Sequence, residues 1–227
     1  MSEIVDRIKA YTERYGIVKL CGKIVEKGTG YVRNIGKTET EKQIHEEYTF
    51  ARNPLISIIV PVYNVVHEAF KATLESVLAQ TYVNWELCIA DGGENKVDAV
   101  IDEVMGDDAR IRYVSLESNL GISGNSNQAL DVASGEYVAF LDHDDILEPD
   151  ALYEAANRIV NYGADMVYTD EDKVSPDLKR YFKPYRKPDY NKTLLLSNNY
   201  ICHFFVVRSS IVEKTGGFRR EFDGAQD

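Results

Sequence analysis

The sequence predicts an α/β fold in which a mostly parallel sheet carries helices on both faces. Three observations point there. Leu55-Ile56-Ser57-Ile58-Ile59-Val60 is an apolar run broken by one serine, the pattern of a strand covered on both sides. Strand-like runs then alternate with helical stripes across short connections, which favours right-handed crossovers in one sheet. Each run also ends in polar or glycine-containing residues, where an open parallel sheet binds its ligands.

The elements follow in order. Ile4, Ile8, Tyr11 and Tyr15 recur at helical spacing with Gly16 as a stop, residues 17–36 read as irregular strands or loops, and Thr38 to Tyr48 reads as a second helix. From Pro54 the pattern changes. After the first buried strand, Phe70, Leu74, Val77 and Leu78 mark a helix, Trp85 to Ala90 a strand, and Val97, Val100, Ile101 and Val104 another helix. Ile111 to Leu116 is the third strand, Asn127 to Ala133 the end of a helix, and Tyr137 to Leu141 the fourth strand. Pro149 suits the first turn of a helix whose apolar face holds Leu152, Ala156, Ile159 and Val160. Asp165 to Thr169 and Cys202 to Val207 complete the strands. The predicted organisation is an accessory or linker segment over 1–53 and one main domain over 54–227.

Composition narrows the function. Of 227 residues, 44% are hydrophobic and 28% charged, enough for a core. Residues 1–54 hold 10 Lys/Arg against 8 Asp/Glu, whereas residues 55–227 hold 16 against 29. This acidity argues against nucleic acid as a partner. Cys21, Cys88 and Cys202 have neither paired nor metal-ligand spacing, and no apolar run is long enough to span a bilayer, so a cytoplasmic protein is expected.

The strand-end loops carry the chemistry. Pro61 stops the first strand, and Tyr63 and Asn64 beyond it could meet a planar, hydrogen-bonding ligand or simply pack. Asp91, before Gly92-Gly93, could accept from a base or ribose, or cap its own turn. Asn119-Leu120-Gly121-Ile122-Ser123-Gly124 offers backbone amides to a ribose or phosphate. The chain has neither the dinucleotide glycine fingerprint nor a phosphate loop ending in Lys-Ser/Thr. The fourth strand runs into Asp142-His143-Asp144-Asp145, three carboxylates in four positions. A diphosphate entering such a site meets repulsion of about 4 kcal/mol per unit pair at an effective ε near 20. A divalent cation, Mn²⁺ or Mg²⁺, reverses that sign.

With these residues in view, the chain resembles glycosyltransferase family 2, of the Rossmann-like GT-A fold, and within it bacterial enzymes of rhamnose-containing or O-antigen-type polysaccharides. The resemblance rests on Val60 to Asn64, Ser76 to Tyr82, the Asp91 turn, Asn119-Leu120-Gly121, Gly135 to Asp145, Tyr168 to Lys173 and Gly216-Gly217-Phe218. It implies that Pro61, Tyr63, Asn64, Asn119 and Gly121 line a nucleotide pocket and Asp91 contacts the base. It implies Asp142 and Asp144 as the Asp-x-Asp pair, Asp144 being the direct metal ligand and Asp142 near the metal or ribose. Asp170, Glu171 and Asp172 are implied near sugar or acceptor. Asp227 matches the catalytic base. Relatives continue past that position, so a chain truncated through its active site, with weak or absent transfer, is expected.

The implied reaction is inverting transfer from a nucleoside-diphosphate sugar, UDP- or dTDP-linked, to a hydroxyl of a saccharide or lipid-linked acceptor. A lipid-linked acceptor would draw the protein to the inner face of the membrane. A noncatalytic nucleotide-sugar-binding module and a sugar nucleotidyltransferase are the competing readings. His143 reads as a structural hydrogen-bonding residue, and His203 as either a packed histidine or an acceptor or metal ligand. Lys179, Arg180, Lys183, Arg186 and Lys187, with Tyr181, Phe182 and Tyr185 among them, read as a solvated loop or an acceptor surface.

Overall fold

The computed structural model describes residues 50–175 and 177–224, and the backbone alone at 24–25 and 31–32. The helices expected over 4–16 and 38–48 lie outside the described residues, as does Asp227. Two compact units share the chain, one of Met1–Glu47 with Asp170–Arg186 and one of Tyr48–Thr169 with Lys187–Asp227.

The second unit is built on a six-stranded sheet. Strand β3 (Ile56–Val62) lies between β4 (Trp85–Asp91) and β6 (Tyr137–Phe140), parallel to both, and β5 (Ile111–Ser115) extends the sheet parallel to β4. Beyond β6 the direction changes: β10 (Phe205–Arg208) runs antiparallel to β6 and to β7 (Met166–Tyr168). The parallel part matches expectation. The reversed strand was not legible, because an apolar run records burial and not direction.

Every residue of β3 and β4 is buried, since two apolar layers clasp the sheet. On one face Ile56, Ile58, Val60, Leu87 and Ile89 meet Phe70, Leu74 and Val77 of α1 (His67–Leu78), Val100 and Ile101 of α2 (Asp98–Met105), and Leu152 and Ile159 of α4 (Ala151–Tyr162). On the other, Ile59, Cys88, Ala90, Val138 and Val207 meet Ala129 of α3 (Gly121–Leu130) and Ile211 and Val212 of α6 (Ser209–Thr215). Helix α3 starts at Gly121, within the segment expected as a loop, because buried asparagine and serine contacts outweigh the poor helix propensity of its two glycines.

The end of α1 organises the chain after β6. Thr73 Oγ1 donates to the His143 carbonyl at 2.9 Å, Ser76 Oγ accepts from Leu147 N at 3.1 Å, and Gln80 both donates to Glu148 O and accepts from Leu152 N. Thr73 therefore holds the acidic turn, and Ser76 and Gln80 hold the residues that lead from it into α4. Farther on, β7 continues toward a short helix, α5 (Lys192–Ser197), and the buried Tyr200, whose ring meets Tyr168 edge-on at 5.9 Å. Tyr168 Oη donates to Pro188 O at 2.7 Å.

The first unit holds a four-stranded sheet in the order β1-β2-β9-β8. Strands β1 (Ile24–Val25) and β2 (Tyr31–Val32) fall within the expected irregular region. Strands β8 (Glu171–Val174) and β9 (Tyr181–Tyr185) pair antiparallel, with Arg186 bonded to Asp170 at 2.9 Å. A run of three charges hid β8, and Pro184 argued against a strand at β9.

Candidate active site

At the C-terminal edge of the parallel strands, one side chain ties the end of β3 to the segment that follows β5. Asn125, on α3 and 2% exposed, donates to Asn119 Oδ1 at 3.1 Å and to Val62 O at 3.4 Å, while its Oδ1 accepts from Leu120 N at 3.1 Å. Asn119 Oδ1 also accepts from Gly121 N at 3.0 Å. Gly92 completes the junction: a Cβ there would sit 2.8 Å from Asn125 Nδ2 and 3.0 Å from Asn119 Cα, so only glycine fits without displacement. The amides of Leu120 and Gly121 are thus engaged by side chains.

Asp91 is wholly buried at the end of β4. Its Oδ1 accepts from Gly93 N at 2.8 Å, and its Oδ2 from Val97 N and the Tyr113 hydroxyl, both at 2.9 Å. The carboxylate shapes its own turn and the start of α2. Burial and this bond to Asp91 both raise the Tyr113 phenol, which stays a donor. Lys96 Nζ reaches Asp91 O at 3.0 Å and Leu116 O at 2.7 Å, tying the ends of β4 and β5. Pro61 is buried at the end of β3, Tyr63 is 45% exposed, and Asn64 turns the chain with φ 49°.

After β6 the chain makes a tight turn in which Asp145 N donates to Asp142 O at 3.2 Å. In a four-residue turn the first and last residues face one another, so Asp142 meets Asp145. Asp144 is exposed, and among the described residues Asp142, Asp145 and His203 form a group able to hold a cation, with ligand atoms within 4.8 Å of one another. Two carboxylates and an imidazole suit a divalent ion such as Mn²⁺, which accepts both oxygen and nitrogen.

His203 comes from the residues just before β10. Its Nε2 lies 3.2 Å from Asp142 Oδ2 and holds the Asp142 carboxyl below the usual carboxylate range, against the opposing effect of burial. Lys187 Nζ donates to the carbonyls of Ile201, at 2.5 Å, and His203. Lysine 187 is therefore a fastening of this segment, whereas Lys179, Arg180, Lys183 and Arg186 are exposed in the other unit. His143 has the structural place expected of it, with Nδ1 3.3 Å from Pro61 O. Asp170, Glu171 and Asp172 belong to the other unit.

Sequence reasoning left His203 open, named Asp145 within the acidic cluster without a separate role, and read Lys187 as part of a solvated loop or acceptor surface and not as the holder of two carbonyls. The signal for His203 was its position immediately before an apolar strand, which places a residue at a sheet edge.

No described helix is long and apolar enough to cross a membrane. Residues 57–216 match the family model described as Glycosyl transferase family 2. The chain is 33% identical over 179 residues to the O-antigen biosynthesis protein RfbC of Myxococcus xanthus, an alignment covering 78% of this chain and 14% of that protein. Among solved structures, S. aureus TarS 1-349 in complex with UDP superposes with TM-score 0.58 at 20% identity, over 75% of this chain and 52% of that one. The mannosyltransferase PcManGT from Pyrobaculum calidifontis, in complex with GDP-Man and Mn²⁺, gives 0.59 at 17% identity, over 83% and 55%. The chain thus spans a small part of RfbC and about half of each solved relative.

Proposed function

The chain belongs to glycosyltransferase family 2, of the GT-A fold, and on that premise we propose that it binds a nucleoside-diphosphate sugar across its strand-end loops and transfers the sugar, with inversion, to a hydroxyl of a saccharide or lipid-linked acceptor in polysaccharide synthesis. The observation that carries the proposal is the convergence of Asp142, Asp145 and His203 beside loops held together by Asn125. RfbC, a relative named for O-antigen biosynthesis, supports the polysaccharide context. The UDP and GDP-Man complexes of the structural relatives support the donor class.

In this reading Tyr63, with its exposed ring, stacks on the base, and Pro61 and Asn64 shape the entry. Asp91 acts through the turn it organises, setting the backbone of Gly92 and Gly93 beside the base. Asn119 and Gly121 form the opposite wall. Asp142, Asp145 and His203 hold Mn²⁺ or Mg²⁺, with Asp144 exposed beside them and able to join through water. The bound ion supplies positive charge that offsets the diphosphate's repulsion from the acidic turn and favours its departure. Asp227 removes the proton from the acceptor hydroxyl as that oxygen attacks the anomeric carbon opposite the leaving diphosphate. No protein nucleophile takes part, so one displacement inverts the configuration.

Titration calorimetry with UDP, GDP and dTDP, with and without Mn²⁺, tests the reading. Metal-enhanced binding that Asp142→Asn removes is the expected result. Equal affinity with and without metal would refute the role given to the acidic turn.

A further inference from the structure

The face of α3 opposite the donor loops grips a second segment. Asn127 meets Phe218 with both halves of its amide, donating to Phe218 O at 2.8 Å and accepting from Phe218 N at 2.9 Å. One turn earlier, Ser123 Oγ donates to Arg219 O at 3.2 Å and Ser123 N donates to Asp223 Oδ1 at 3.3 Å. Gly121 has φ 80°, and a Cβ there would come 2.8 Å from Asp223 Oδ2, so the missing side chain leaves the space in which that carboxylate sits. The Phe218 ring packs edge-on against Phe140 at 5.0 Å, just ahead of the acidic turn. Between these attachments, a 3-10 turn over Arg220–Phe222 is closed by Phe222 N to Arg219 O and Asp223 N to Arg220 O.

We infer that Asn127 and Asp223 are positioning residues that lock the 218–224 segment onto α3, so that the donor loops and the residues leading to Asp227 share one rigid support. The inference rests on the assignment of Asp227 as the base. Asp227 follows Asp223 by four residues, so it lies within about 14 Å of this anchor, at no more than about 3.5 Å per residue. The negative charge suits its place, because the first turn of a helix presents unpaired amides and the positive end of the helix dipole. The partners are asymmetric. Asn127 makes a neutral two-point clamp that fixes direction, and Asp223 adds a charged contact at the point closest to the donor wall. Alignment within roughly an ångström governs proton transfer, so losing this anchor should reduce turnover while leaving donor binding intact.

The test compares the unsubstituted chain with Asp223→Ala, Asp223→Asn and Asn127→Ala. Hydrogen exchange reads the amides of Ser123, Phe218, Phe222 and Asp223, calorimetry reads UDP with Mn²⁺, and steady-state kinetics reads cleavage of a UDP-sugar. Asp223→Ala is expected to speed exchange at these amides about 10-fold and to lower kcat at least 10-fold, with UDP affinity within about twofold. Asp223→Asn keeps an acceptor for Ser123 and is expected to restore most of both. Should Asn127→Ala fail to fold, the Asp223 pair alone decides. Unchanged exchange in Asp223→Ala overturns the lock. Faster exchange with unchanged kcat overturns the positioning role. An unsubstituted chain that binds UDP with Mn²⁺ and turns nothing over overturns the positioning role, which claims an effect on this chain's own turnover, while the exchange data still judge the lock and the assignment of Asp227 is left to be judged apart from both.

Discussion

Asp142 and His203 meet at 3.2 Å although they leave different strands, one following β6 and the other preceding the antiparallel β10. The register explains the meeting. Phe140 pairs with Phe205, so the residues just beyond β6 and just before β10 emerge at the same sheet edge.

This pair yields the first prediction. Asp145→Asn and His203→Ala should each weaken Mn²⁺-dependent UDP binding by at least about tenfold, roughly 1.4 kcal/mol. Asp144→Asn should weaken it less. A larger loss in Asp144→Asn, measured by calorimetry at one pH, would return the direct contact to the Asp-x-Asp pair.

Lys187 is held by the carbonyls of Ile201 and His203, and its role is separable from stability. In Lys187→Met the aliphatic stem is kept and the clamp is lost. We expect metal affinity to drop several-fold, as for substitutions of groups that orient ligands, which commonly cost about 10- to 100-fold. Unaltered Mn²⁺ titrations in that variant would show that His203 is oriented without Lys187.

The donor junction offers a steric test. Gly92→Ala should destabilise the fold by about 1–3 kcal/mol, the usual range for overpacking, because Asn125 Nδ2 and the Asn119 backbone lie inside contact distance. UDP affinity should fall with it. Thermal unfolding and calorimetry on the same sample check both, and a neutral result on both counts would mean the loops are less tightly joined than Asn125 implies.

At the far end of the sheet, Glu86 gives a pH prediction. It is 4% exposed. Burial pushes its carboxyl up, but hydrogen bonds from Ser57 Oγ at 2.6 Å and from the amide and hydroxyl of Ser134 outweigh this, and the net shift is downward. A depressed folded value means the unfolded chain binds the proton first. The contribution is therefore complete above the ordinary carboxylate range and is lost as pH falls through the lowered value. Glu86→Gln should cost about 1–3 kcal/mol at pH 7, a gap in urea midpoints that closes in acid. A gap constant with pH would contradict the ionised assignment.

Burial also pushes the Cys88 thiol up to about 12. Alkylation at pH 8 should reach Cys88 only through unfolding, and Cys202, half-buried, much sooner. Rapid labelling of Cys88 in the native protein, followed by mass spectrometry, would refute its inclusion in the core.

Much of this was legible in the sequence, for reasons that differ by element. Strands β3 and β4 announced themselves because burial on both faces leaves no room for polar alternation. The loops at their ends were found because topology fixes where ligands bind, and Tyr63, Asp91 and Asn119 do lie there. What Asp91 does was open, since capping a turn and contacting a base ask for the same residue. Which residue of the acidic turn faces Asp142 was not legible, because that depends on the turn closed by Asp145 N and Asp142 O. The junctions made by Asn125, Asn127 and Lys187 were invisible for another reason: asparagine and lysine look like surface residues until the backbone carbonyls they hold come into view.

The bond from Tyr168 to Pro188 pins together the two ends of the excursion that contains residues 170–186. The two ends of that excursion are therefore held together within the second unit, where the β6–β10 ladder and the Lys187 clamp set Asp142 and His203. Lengthening a closed loop is inexpensive, about 0.6 kcal/mol per doubling. A change of length between Asp170 and Arg186 that keeps Tyr168, Lys187 and Pro188 is therefore expected to leave the register of β6 and β10 as it is.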